Sequence, residues 1–146
     1  MICREADLDT LLAELAVHRL DLVLSDRPIP PTVSTRCFSH KLGECAISFF
    51  ATKKLDKKLK GDFPRCLDGA PLLLPGSGSQ LRSGIDQWLD KQRIHPRMIA
   101  EFDDSALMKA FGQEGAGIFI APSAIEKEGE AQYRVACIGR TDEVQE

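Results

Sequence analysis

Between residues 71 and 122 the chain alternates short apolar runs with longer amphipathic stretches, and this alternation admits few architectures. Pro71–Leu74 is an apolar run of strand length, and the loop Pro75-Gly76-Ser77-Gly78-Ser79 follows it. Leu81, Ile85, Trp88 and Leu89 then recur at the 3.6-residue period of a helix with one apolar face. Arg97–Phe102 reads as a second strand, and Asp103 or Asp104 is placed to cap a helix burying Leu107, Met108 and Phe111. Gly115–Ala121 reads as a third strand, stopped by Pro122. Strand, helix, strand, helix, strand is the signature of a doubly wound α/β layer, with helices on both faces of a largely parallel sheet.

The flanks are read in the same way. Met1–Arg4 is expected to be a strand, followed by a helix capped by Asp7 or Asp9 with Leu8, Leu11, Leu12 and Leu15 on one face. Leu20–Leu24 has the look of a strand buried on both faces, which would make a βαβ unit with parallel strands. Pro28, Pro30 and Pro31 mark a lobe boundary. Cys45–Thr52 is expected to be a buried strand and Lys53–Pro64 a polar loop with one helical turn. A short helix around Ser123–Lys127 and a last strand over Tyr133–Ile138 complete the chain. These boundaries give a first lobe over residues 1–30, a second over 31–139, and a return toward the first lobe over 140–146.

Composition limits the functions available. The net charge is −3, whereas a nucleic-acid grip needs clustered Lys and Arg. The basic run Lys53–Lys60 also holds Leu55 and Leu59, and its simpler reading is a solvated face. Five cysteines without a C-x-x-C pair fit reduced thiols in a cytoplasmic protein better than a disulfide framework. A Cys37–Cys45 redox pair on adjacent strands is the less favoured reading. No export signal is visible, and no apolar run approaches the roughly 20 residues of a membrane span.

The chemistry-bearing residues are few. The glycines of Pro75–Ser79 permit a tight turn, and its N–H groups meet the positive end of a helix dipole, where Ser77 and Ser79 add hydroxyls. An anion site and a plain capped turn remain equally open, and neither the Walker nor the G-x-G-x-x-G pattern is present. Glu101, Asp103 and Asp104 could hold a hard cation, though helix capping is the commoner use of such Asp residues. His18, His40 and His95 lack ligand spacing, and no G-x-S-x-G nucleophile elbow occurs. Neither catalysis, nor a cofactor, nor a metal is expected.

The ordered set Leu20-Asp21-Leu22-Val23-Leu24, Ser25-Asp26-Arg27-Pro28, Pro71–Ser79, Glu101–Gly112 and Gly117–Pro122 resembles the substrate-binding domain of LysR-type transcriptional regulators. Gly43-Glu44-Cys45, Glu101–Gly112, Ile118–Pro122 and Ile138-Gly139-Arg140 are most similar to sodium-responsive activators within that family. The resemblance implies a type 2 periplasmic-binding-protein-like fold of two α/β lobes, with the first lobe truncated. It also implies a cleft lined by Ser25, Asp26, Ser77, Gly78, Ser79, Phe102, Asp103, Ala121 and Pro122. The partners it implies are a small-molecule or ion effector, a second copy in a homo-oligomer, and DNA only through a helix-turn-helix domain absent from these residues. A solute-binding protein for transport is the alternative that shares this fold, and a small α/β enzyme is a third reading.

Overall fold

A computed structural model describes residues 2–25, 28–29, 37–126 and 134–145. The chain divides into two compact units, Met1–Gly43 and Glu44–Glu146.

In the first unit the regular element is α1 (Leu8–Ala16). The Asp7 carboxylate starts it by accepting from the Thr10 backbone N–H at 2.9 Å and from the Thr10 hydroxyl at 2.7 Å. Those bonds hold the Asp7 carboxyl below the usual carboxylate range. Leu8 and Leu12, four residues apart, are its buried positions. The strands expected over Met1–Arg4 and Leu20–Leu24 do not form among the described residues, and Leu22 and Leu24 are 72% and 70% exposed. An apolar run becomes a strand only where a neighbour takes up its N–H and C=O groups. The described residues of this unit supply no such ladder.

The second unit contains β1 (Ala46–Thr52), α2 (Lys53–Asp56), β2 (Pro71–Pro75), α3 (Gln80–Gln92), β3 (Arg97–Phe102), α4 (Ser105–Gln113), β4 (Phe119–Pro122) and β5 (Val135–Gln145). Short 3₁₀ turns lie at Arg65–Leu67 and Ser123–Ile125; the second opens the helix expected around Ser123–Lys127, Glu126 is already helical, and Lys127 lies outside the described residues. β2 and β3 pair in parallel, and β4, β1 and β5 form an antiparallel set with β1 central. A parallel bridge between Leu72 and Ile118 joins the two sets. Four strands thus point one way while β1 runs against them. The β2-α3-β3-α4-β4 order is the doubly wound succession read from the sequence.

β1 is buried over Ala46–Ala51 because both faces of the sheet are covered. Phe49 packs with Phe63 and Trp88, at centroid separations of 5.4 and 5.5 Å, on the α3 side. Phe50 stacks on Phe119 at 5.4 Å. The Phe119 ring lies against the α-carbon of Gly112 in α4, where a Cβ would collide with it. Each such fully buried side chain contributes roughly 1.5–3 kcal/mol of transfer free energy.

Several expectations need correction. Of the three residues expected to be buried on α4, Met108 is buried, but Leu107 and Phe111 are 49% and 48% exposed, and Gly112 is the other buried position. β3 forms over the expected Arg97–Phe102, and among the described residues it pairs with β2 alone, so Met98 and Ile99 are exposed. The last strand is longer than the expected Tyr133–Ile138: β5 runs over Val135–Gln145. Tyr133 lies outside the described residues.

Candidate functional site

The parallel register brings the carboxyl ends of β2, β3 and β4 to one end of the second unit. Pro75 is opposite Phe102, and the Gly76 N–H donates to the Phe102 carbonyl at 2.9 Å. The Gly76-Ser77-Gly78-Ser79 turn therefore lies beside the chain leaving β3. The Asp103 carboxylate rests against the α-carbon of Gly76, where a Cβ would collide with it. At the end of β4, Pro122 is opposite Ile47 near the start of β1. Because β1 runs backwards, its beginning falls at the end where β4 finishes.

The turn is a capped one, and its outer N–H groups leave the anion reading open. Ser79 caps α3, its hydroxyl oxygen accepting from the Arg82 N–H at 3.1 Å, while the Ser79 N–H bonds the Gly76 carbonyl at 3.0 Å. The cap leaves the N–H groups of Gln80 and Leu81 without a residue four earlier inside the helix to accept from them. Ser77 and Gly78 are exposed beside them. Oxygen acceptors on a small molecule suit those donors and the helix dipole, and the Asp103 carboxylate next to them accepts hydroxyl or ammonium protons.

The acidic trio does not act as one group. Glu101 pairs with Arg82 at 2.8 Å. Asp104 caps α4, accepting from the N–H groups of Ala106 and Leu107 at 2.7 and 3.4 Å. Asp103 alone faces the turn. Among the described residues no set of three His, Cys, Asp or Glu side chains is placed to share a metal ion.

Arg82 ties this end together. Its side chain, 12% exposed, bonds Asp86 in the next turn of α3, the Pro75 carbonyl at 3.1 Å and Glu101 on β3. Burial works against its charge, yet the hydrogen bonds it donates to Glu101 and Asp86 outweigh it and raise its pKa above the ordinary arginine value.

Phe102 is half-buried against Phe111, with ring centroids 5.3 Å apart, while Ala121 is buried and Pro122 half-buried. Ser25 is exposed in irregular backbone of the first unit, and Asp26 lies outside the described residues. The sequence reading missed the start of β1. The Cys45 sulfur accepts from the Ala124 N–H at 3.2 Å and lies 3.3 Å from the Ser123 hydroxyl, just past the end of β4. The missing signal was the direction of β1, which apolar periodicity does not carry. Cys37 and Cys45 are both free thiols, not a disulfide.

Comparison with known proteins adds the family. The LysR substrate binding domain model matches residues 2–142. Transcriptional activator protein NhaR of Escherichia coli is 39% identical over 144 residues, covering 99% of this chain and 47% of that protein, and the Shigella flexneri protein of the same name matches equally. The chain thus spans about half the length of the curated relatives it matches. The regulatory domain of HypT from Salmonella typhimurium, in its apo form, superposes with a TM-score of 0.69 at 17% identity, covering 96% of this chain and 66% of that one. The effector binding domain of QuiR in complex with shikimate gives 0.55 at 19% identity, covering 69% and 47%. At these identities the structures establish the fold, the mixed α/β, periplasmic-binding-protein-like type 2 arrangement of LysR regulatory domains. The chain therefore belongs to the LysR family of transcriptional regulators, a family of regulators and not of enzymes, through a match to its substrate-binding domain that runs from residue 2 to residue 142.

Proposed function

We propose that this chain senses an effector for a LysR-type activator, and that the effector meets the carboxyl-end tips of β2, β3 and β4. The observation that carries this reading is the Gly76 N–H bond to the Phe102 carbonyl, which sets the serine-glycine turn beside Asp103. Open α/β sheets place ligands beyond the carboxyl ends of their strands. Ser77, Gly78 and Ser79 with the first N–H groups of α3 would take the effector's acceptor oxygens, and Asp103 its donors. Phe102, Ala121 and Pro122 would supply apolar wall. Binding one arrangement of the regulator better than another would shift its population. The protein would act in the cytoplasm as a homo-oligomer, with operator sequence read by a helix-turn-helix domain elsewhere in the regulator.

The finer reading is a sodium-linked signal, in keeping with the resemblance to sodium-responsive activators. Glu101 is held by Arg82 and Asp104 by the α4 cap, which leaves Asp103 as the carboxylate that would meet an ion. Calorimetric titration with sodium chloride, potassium chloride and shikimate tests both levels. The site reading expects saturable heat from at least one of them, removed by Asp103→Asn together with Ser77→Ala. Heat that survives both substitutions, or no saturable heat from any probe, would count against the site. Equal heats with sodium and potassium would count against the sodium reading.

A further inference from the structure

The end of the second unit opposite the strand tips carries a concentration of positive charge. Lys53, Lys54, Lys57, Lys58 and Lys60 occupy eight residues, and all five are exposed. The Thr52 hydroxyl caps α2 by accepting from the Leu55 N–H at 3.2 Å. The turn continues past α2, with Lys58 N–H bonding the Leu55 carbonyl and Leu59 N–H bonding the Asp56 carbonyl. Leu55 and Leu59 pack against the hydrophobic core and fix the segment. The lysines at 53 and 57, and at 54 and 58, stand one turn apart on the outer side.

Register places this ladder away from the effector site. Thr52 is opposite Val135 at the start of β5, and Gly115, on the approach to β4, lies against the Thr52 side chain. The lysines therefore follow the amino-end side of β4 and β5, while Pro122 and Phe102 mark the other end. The acids nearby in the chain are Asp56 and Asp62, with Glu114 at the end of α4. Among the described residues no carboxylate comes within ion-pairing distance of any of the five ammonium groups.

We propose that the Lys53–Lys60 ladder binds the phosphate backbone of duplex DNA without reading its sequence. Like-charge repulsion among five closely spaced ammonium groups is relieved by a polyanion. A chain with a net charge of −3 can still hold such a site, because charges beyond about 8–10 Å are screened at physiological salt. Lysine is a point charge lacking the planar fork that reads guanine, so phosphate is its natural target. A protein partner fits less well, since interfaces centre on apolar or aromatic anchors and Leu55 and Leu59 are turned inward. The same inward leucines disfavour a membrane surface, which an amphipathic helix enters by its apolar face. Phe63, just after the ladder, packs on Phe49 and Trp88 and is not free to stack on single-stranded bases. This proposal stands apart from the effector reading, because the ladder touches none of the strand tips.

The test is fluorescence anisotropy of a labelled duplex of arbitrary sequence, titrated with the chain over a series of salt concentrations. Five phosphate contacts predict that log Kobs falls against log salt with a slope of about −4 to −5. Each Lys→Gln substitution lowers that slope by about one. The variant with all five lysines replaced by Gln loses duplex binding and keeps its thermal midpoint, followed by Trp88 fluorescence. Absence of binding at low salt, an undiminished slope in that variant, or tighter binding to polyglutamate or anionic vesicles than to the duplex would overturn the proposal. The variant leaves Ser77 and Asp103 intact, so its effector titration separates failure of this proposal from failure of the sensor reading.

Discussion

The two units treat similar apolar runs in opposite ways. Leu20–Leu24 and Pro71–Leu74 are both short, apolar and flanked by loop-forming residues. In the second unit Leu72, Leu73 and Leu74 are at most 3% exposed, because β2 pairs with β3 and bridges Ile118. In the first unit Leu22 and Leu24 are open, with no ladder among the described residues. A buried strand is thus a property of its neighbours as much as of its own residues.

The largest expected effect tests the second unit's core. Phe49→Ala removes a ring from the cluster with Phe63 and Trp88, and should lower stability by about 3–5 kcal/mol. Trp88 fluorescence during denaturant unfolding reads it directly, and a loss within about 1 kcal/mol would mean that this core is not what holds the sheet. Next is Arg82→Ala, expected to cost about 1–3 kcal/mol by releasing Glu101, Asp86 and the Pro75 carbonyl together. An unchanged midpoint would break the claim that this side chain ties β2 to β3.

A smaller effect comes from pH. Burial, followed by the nearby Glu126, pushes the Cys137 thiol up from the ordinary 9.0 to about 11. The folded state then keeps a proton that the unfolded state releases, so this contribution is whole below pH 9 and is lost as pH rises through 11. Alkaline melts of Cys137→Ala should therefore fall less steeply over that window than those of the unaltered chain. Smallest of all, Leu22→Ser with Leu24→Ser should change stability by no more than about 0.5 kcal/mol, as expected for exposed positions. A larger loss would show that this run is buried in solution and would erase the contrast between the units.

Much of the second unit was legible because its signals are local. The helical period of Leu81, Ile85, Trp88 and Leu89 marked α3, and the acids after β3 marked the α4 cap. Ser77 to Ser79 and Asp103 were likewise singled out from local pattern. What local pattern could not show was pairing. The direction of β1, which puts Cys45 beside Ser123, depends on residues more than 70 positions apart. The position of β3 beside β2 alone among the described residues leaves Met98 and Ile99 open, which a strand-length run does not show by itself. The separation of Glu101 from Asp103 rests on Arg82, nineteen residues away. That pairing is invisible to a reading that groups neighbouring carboxylates.

Amide chemical-shift mapping bears most directly on the sensor account, with the labelled chain titrated by sodium chloride, potassium chloride and a panel of hydroxy acids headed by shikimate. The account predicts saturable shifts gathered at Ser77–Leu81, Asp103 and the Ser123–Ala124 turn, with residues 53–60 undisturbed. Saturable shifts gathered instead at the lysine end, or none near the serine-glycine turn for any probe that binds, would contradict it.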